Sequence, residues 1–221
     1  MQDLIRHEIF EIEVIEYLNK NNILNNLVFV GGTMLRLCYG LDRYSVDLDF
    51  WVYKNLNFNL FFEKIKKLLE KKYVIKDCHN KFFSIVFEIR SDEYPSSLKI
   101  EIRKEKKKLR MEKNIAYSTH SEKQVLLNSI ILDDMMKFKV DAFLNRKEIR
   151  DVYDIEFMVK KGINLNITGE KALAIIKNID NLTKNDYRVK LSTILPEEKR
   201  DYYKNSNFKI LLSKLQEKLE R

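Results

Sequence analysis

The sequence predicts an α+β chain in two parts: a mixed sheet flanked by helices, followed by a C-terminal helical bundle. Three observations predict it. Strand-like segments recur through the first half, as short apolar runs at residues 27–30, 82–89 and 98–102 and as an alternating stretch at 45–52. From about Glu122 onward, apolar residues instead recur at three- and four-residue intervals almost everywhere. Only five Gly and two Pro occur in 221 residues, with 45% hydrophobic and 33% charged, a globular profile rich in helix and poor in tight turns. The length suits one generous core or two small ones, and we expect two, at residues 1–115 and 116–221.

Each element has its own signal. Leu4, Ile5, Ile9, Ile12, Ile15 and Leu18 trace one face of a helix that the Asn-rich stretch 19–26 ends. Residues 27–30 are apolar throughout, as in a strand buried on both faces, and run directly into Gly31-Gly32. Thr33 is placed to cap a helix through Tyr39, with Gly40 as its stop. Along 45–52, Val46, Leu48 and Phe50 share one face of a strand while Ser45, Asp47 and Asp49 share the other. A helix is expected over 60–71, then strands at 82–89 and 98–102 joined by a turn-rich 91–97. The charged tract 104–113 reads as a solvated loop near the domain boundary. Helices are expected at 130–145, 149–161, 168–179 and 197–219.

Charge and cysteine content narrow the function classes. Lys+Arg exceed Asp+Glu by 41 to 33, and a surface of net charge +8 attracts polyanions, which favours a nucleotide or nucleic acid as partner. Abundant Lys, Asn and Ile throughout make part of that charge background. Cys38 and Cys78 lack CxxC spacing, as expected in a reducing cytoplasm. No export signal and no apolar run of roughly 20 residues is visible, so a soluble protein without a membrane partner is expected. His7, His79 and His120 do not cluster at ligand spacing, which argues against a zinc site.

The chemistry centres on Asp47 and Asp49. Two residues apart on a strand, they lie about 7 Å apart and point the same way, so their carboxylates can converge on a divalent cation. Without one they repel. Asp-x-Asp alone is common on exposed strands. The order of parts strengthens it: strand, Gly31-Gly32-Thr33, short helix carrying Arg36, then Ser45-x-Asp47-x-Asp49. Paired glycines let backbone approach a triphosphate, and the N–H groups opening the next helix favour a bound anion. Neither a Walker A loop nor a Rossmann fingerprint is present. Glu101, on the outward face of the strand 98–102, is the candidate third acid, although an exposed strand acid paired with a cross-strand lysine explains it nearly as well.

The stretch Val30-Gly31-Gly32-Thr33-Met34-Leu35-Arg36-Leu37, with Arg43-Tyr44-Ser45-Val46-Asp47-Leu48-Asp49-Phe50, resembles the first motif of the AbiEii/AbiGii-type nucleotidyltransferase toxins of bacterial toxin-antitoxin and phage-defence systems. Lys139-Val140-Asp141-Ala142-Phe143-Leu144-Asn145-Arg146 and Arg150-Asp151-Val152-Tyr153-Asp154 are similar to that family's later K-x-x-A-(L/F)-x-x-R and R-D-x-x-D elements. The match spans roughly residues 27 to 160, and the last 60 or so carry no motif.

That resemblance implies a polymerase-β-like fold and transfer of a nucleotidyl group from an NTP with Mg²⁺ or Mn²⁺. It also implies an RNA acceptor such as a tRNA 3′ end, and a cognate antitoxin. By the resemblance, Asp47, Asp49 and Glu101 would ligate the metal. Gly31, Gly32 and Thr33, with Arg36 and Ser45, would hold the nucleotide. Lys139 would stabilise phosphate charge or bind the nucleotide, and Arg146 and Asp154, in the later motifs, would also serve nucleotide binding. Spacing alone reads residues 139–154 as a salt-bridged helical stretch in which Arg150 pairs with Asp154. Two other readings stay open: a nucleotide- or RNA-binding module without catalysis, and a transferase acting on a small molecule.

Overall fold

The computed structural model describes residues 1–105 and 109–220; part of the charged tract expected as a loop, Lys106 to Lys108, lies outside the described residues. The chain separates into two compact units. One comprises Met1–Gly40 and Tyr44–Ile131, the other Leu41–Arg43 and Leu132–Arg221.

The first unit opens with helix α1 (Gln2–Lys20), which buries Phe10, Ile12, Ile15 and Leu18 and ends where Asn22 turns left-handed. Strand β1 (Leu27–Val30) is buried along its whole length, and helix α2 (Gly31–Tyr39) follows without an intervening loop. Gly40 closes α2 at φ 75°, a left-handed stop that a Cβ would disfavour. Strand β2 (Asp47–Val52) keeps the expected alternation but starts after Ser45 and Val46. Helix α3 (Phe58–Leu69) starts two residues earlier than expected because Asn57 caps it, its side-chain oxygen accepting from the amides of Asn59 and Leu60.

Five further strands complete the sheet: β3 (Val74–Asn80), β4 (Ser84–Arg90), β5 (Leu98–Arg103), β6 (Met111–Tyr117) and β7 (Gln124–Ile130). Their order is β3-β4-β5-β2-β1-β7-β6. Strand β1 runs antiparallel to β2 and parallel to β7, β2 runs parallel to β5, and both outer pairs are antiparallel, so the sheet is mixed. One face is apolar, with Leu48, Phe50, Ile85, Phe87, Ile100 and Ile102 all buried. Phe62 of α3 stacks on Phe87 and covers part of it. Period-2 alternation places Asp47, Asp49, Lys99 and Glu101 together on the opposite face.

The second unit holds helices α4 (Leu132–Arg146), α5 (Ile149–Lys160), α6 (Gly169–Asp180), α7 (Glu197–Ser206) and α8 (Lys209–Leu219), with a π-helical turn and a 3₁₀ turn before α7. A single helix was expected over 197–219. Asn207 and Phe208 both adopt left-handed φ, near +50°, and divide it in two. Phe208 is fully buried, so its side chain anchors a backbone conformation that L-residues otherwise avoid. Among the described residues no helix is long and apolar enough to cross a membrane.

Candidate active site

The glycine turn and the acidic strand meet directly. Val30, the last residue of β1, pairs with Asp49 of β2. Gly31 then turns left-handed at φ +84°, and a Cβ built there would lie 2.6 Å from Asp49 Oδ2. Glycine is therefore required twice over, for its backbone angle and for the volume the carboxylate takes. The residue before α2 is Val30, whose side chain has no oxygen to cap the helix, so the amides of the first turn depend on other acceptors. Gly32 is buried within that turn.

Thr33 is not the helix cap that its position predicted. Its hydroxyl is buried and donates to the backbone carbonyl of Asp47 at 2.6 Å, with Glu11 Oε1 a second acceptor at 3.4 Å. It ties α2 to the first residue of β2, and in doing so fixes where the acidic pair begins. Glu11 is fully buried on α1. Burial, with the neighbouring charge of Glu8, pushes its carboxyl well above the ordinary range, and its Oε2 has no hydrogen-bond partner among the described residues. Glu8 accepts from Arg36 Nε and from the Ser118 hydroxyl, while the Arg36 guanidinium lies 3.9 Å from the centre of the Tyr44 ring. Arg36, expected at the nucleotide, thus engages Glu8 and Tyr44. Ser45 is half-buried, just ahead of β2. His7 bridges Ser96 and the carbonyl of Val46, and burial lowers its pKa below 6.5.

On the parallel pair β2/β5, Asp49 sits opposite Glu101 and Asp47 opposite Lys99. Glu101 is already engaged: Lys99 Nζ is 3.0 Å from one of its oxygens, and Arg103 Nε 3.6 Å from the other. Burial works against the charge on Lys99, yet the bond to Glu101 and the charges of Glu101, Asp47 and Asp49 hold its pKa above the usual lysine value. The face is thus negative enough to favour a cation. Two aspartates on one strand face offer hard oxygen donors suited to a divalent ion. Among the described residues, however, no group of three or more His, Cys, Asp or Glu is arranged to hold a metal.

The later candidates come together within the second unit. Lys139 of α4 places its ammonium 2.6 Å from Asp154 Oδ2 and 3.1 Å from Asp151 Oδ1, both on α5. Arg43 grips both oxygens of Asp154 at 2.6 and 2.7 Å, and Arg146 grips both of Asp151 at 2.5 and 2.6 Å. Arg43, Lys139, Asp151 and Asp154 are all buried, whereas more than half of the Arg146 side chain is exposed. The pairing of Arg150 with Asp154 does not form. Arg150 faces solvent, and Asp154 turns instead to Arg43, whose fork matches a carboxylate bidentately.

Sequence reasoning missed Glu8, Glu11, Lys99, Arg43 and Asp151. For the first two a signal existed: Glu8 falls between Ile15 and Ile12, and Glu11 between Leu18 and Leu4, on the helix face that the apolar spacing assigns to the core.

A family model described as the nucleotidyl transferase AbiEii toxin of type IV toxin-antitoxin systems matches residues 16–212. The chain belongs to that family. It is accordingly a nucleotidyltransferase, with the mixed sheet and C-terminal helices that the sequence predicted. Among solved structures, JHP933 from Helicobacter pylori is similar at 19% identity, with a TM-score of 0.57 over 100% of this chain and 96% of that one. The nucleotidyltransferase toxin MenT4 from Mycobacterium tuberculosis is similar at 15% identity, with a TM-score of 0.61 over 98% of this chain and 82% of that one. At such identities the likeness speaks to the fold. No curated protein matches the sequence.

Proposed function

We propose that this AbiEii-family chain moves a nucleoside monophosphate from an NTP to an RNA acceptor such as a tRNA 3′ end, with Mg²⁺ or Mn²⁺ held by Asp47 and Asp49. The observation that carries the reading is the seat of the Asp49 carboxylate against Gly31, at the opening of α2. Backbone amides that favour anions and carboxylates that favour cations stand there side by side, as a triphosphate with its counter-ion requires. A bound divalent cation would supply neutralisation of phosphate charge and a lowered pKa for the acceptor hydroxyl.

The chain's own residues position. Gly31 and Gly32 let backbone approach the phosphates, and Thr33 holds α2 to Asp47 so that turn and acids keep one geometry. Glu101, held by Lys99 and Arg103, would serve as the third acid of this face, behind the two aspartates. Ser45 and Arg36 set the approach to β2, Arg36 by stacking on Tyr44.

In the second unit, Lys139 is already shared by two carboxylates. We assign Lys139, Asp154 and Arg146 to holding α4, α5 and the segment around Arg43 in place. The setting that fits is the cytoplasm, where NTP, RNA and a cognate antitoxin protein are available.

The test is incubation of the purified chain with each labelled NTP, Mg²⁺ and total cellular RNA. Label in a discrete RNA band, lost in Asp49→Ala and on chelation, is expected. Label on a small molecule instead would redirect the acceptor assignment, and label retained by Asp49→Ala would remove the site assignment.

A further inference from the structure

The tip of the β3–β4 hairpin carries two exposed aromatic side chains. Phe82 is 85% exposed and Phe83 74%, with their rings meeting edge to face at 4.7 Å. The turn is tight: the amide of Lys81 donates to the carbonyl of Ser84 at 2.8 Å. Two-residue hairpin turns favour Asn, Asp and Gly, so nothing in the turn itself calls for a pair of phenylalanines. Nor does packing, since neither ring is buried. Two large rings exposed side by side form a contiguous apolar patch, and such patches mark interaction sites.

Two lysines line the same groove as the rings. Lys81 is exposed beside them. Lys104 lies in the shallow groove behind, which Phe58, Asn59 and Asn80 also line. Its ammonium is 5.2 Å from the Phe58 ring centre and donates to Asn80 Oδ1 at 2.6 Å and to the Lys81 carbonyl. Its own amide donates to the carbonyl of Phe83 at 3.0 Å, fastening the end of β5 to the tip. Among the described residues that line the groove, Glu105 is the one acid. The sequence continues from there into Lys106-Lys107-Lys108.

The sheet register relates this tip to the acidic pair. Val86 of β4 sits opposite Glu101 of β5, which sits opposite Asp49 of β2. Phe83 is three residues from Val86 along β4, so the tip lies roughly 14 Å from Asp49, given about 3.3 Å per residue and about 4.8 Å between strands.

We propose that this hairpin tip is a docking platform for unpaired bases of the acceptor RNA, with Phe82 and Phe83 stacking bases and Lys81 and Lys104 facing backbone phosphates. The inference rests on the RNA-acceptor reading above and adds where the acceptor is held. Exposed rings interleaved with lysines, on a chain of net charge +8, match single-stranded nucleic acid, whose bases offer π-faces and whose backbone is anionic. A duplex hides the bases and would leave the rings unused.

The test is fluorescence anisotropy of the full chain, without NTP, against a fluorescein-labelled single-stranded oligoribonucleotide and its blunt duplex. Phe82→Ala/Phe83→Ala is expected to weaken single-strand binding at least about tenfold, by loss of stacking, and to leave duplex binding unchanged. Phe82→Tyr/Phe83→Tyr is expected to keep wild-type affinity with an unchanged melting curve. Lys81→Gln is expected to reduce the slope of log affinity against log salt by about 0.7. Unchanged single-strand affinity in the double alanine variant, while the wild type binds, overturns the platform alone. So does an equal loss on the duplex, or a change in oligomeric state on gel filtration, which would make the tip a protein contact. A wild type that binds no single-stranded RNA removes the platform and the RNA-acceptor reading together, whereas single-strand binding that the double alanine variant loses supports the platform.

Discussion

The Asp49 carboxylate occupies the space that a side chain on Gly31 would need, its Oδ2 lying 2.6 Å from where that Cβ would stand. A turn residue and a strand residue eighteen positions apart are thereby fitted to each other, and substitution at either disturbs both.

Gly31→Ala follows from that fit. The added methyl cannot coexist with the carboxylate as placed, and the left-handed φ adds about 1 kcal/mol of strain. Displacement of Asp49 by about 1 Å is expected to lower transfer roughly 100-fold. Labelled-NTP assays alongside thermal melts check this; full activity with a normal melt would separate Gly31 from the chemistry.

Asp49→Asn and Glu101→Gln should differ. Asp49 stands against the glycine turn, whereas Glu101 is held by Lys99 and Arg103. A loss of roughly 10²- to 10³-fold in turnover is expected for Asp49→Asn, on the scale of removing one preorganised electrostatic group, and a clearly smaller loss for Glu101→Gln. Steady-state rates over a Mg²⁺ series decide it, and equal losses would place Glu101 on the same footing as the aspartates.

Arg43→Met should destabilise the second unit by about 3–5 kcal/mol, because it leaves the buried Asp154 with only the ammonium it shares with Asp151. Arg146→Met should cost less: it leaves the equally buried Asp151 with the same shared ammonium, but removing a side chain that is more than half exposed opens that carboxylate to water. Urea denaturation of the two variants gives the comparison, and similar losses would contradict it.

Glu11 makes stability depend on pH. Its folded-state pKa is raised, so between the unfolded value near 4.5 and the folded value the native state binds more protons than the unfolded one. Its contribution is fully present below about pH 4.5 and is lost as pH rises through the folded pKa. His7 works the opposite way: its lowered pKa gives stability present above 6.5 and lost as pH falls through the folded value. Glu11→Gln should therefore flatten the alkaline side of a plot of melting temperature against pH and leave the acidic side alone. A parallel downward shift at all pH values would show that the carboxyl is not the titrating group.

What the sequence showed of all this follows from the range of its signals. Strand β2 was legible because a period of two puts Leu48 and Phe50 on one face and Asp47 and Asp49 on the other. Strand β3 and strand β6 were not, because both are edge strands with mostly exposed side chains, such as Lys76-Asp77 and Glu112-Lys113-Asn114, and carry no apolar alternation. Strand β7 falls where helical pattern was expected from about Glu122: Val125, Leu127 and Ser129 do alternate inward, but Ile130 and Ile131 lead straight into α4 and blur its end. Glu101 was placed on the correct face, while its engagement by Lys99 and Arg103 depends on side-chain reach that spacing does not encode. Arg150 and Asp154 have helical spacing, and the guanidinium that Asp154 takes comes from a residue 111 positions earlier.

That distant partner bears on how the protein can be divided. Leu41 to Arg43 belong to the helical unit although the chain on either side of them belongs to the sheet, and Asp42 there also meets Tyr153 and Lys199. A polypeptide begun at Leu132 would lack the guanidinium that neutralises Asp154 and the carboxylate that receives Tyr153. The helical half is therefore not a free-standing module: its charge balance is completed by Asp42 and Arg43, two residues translated long before the rest of it.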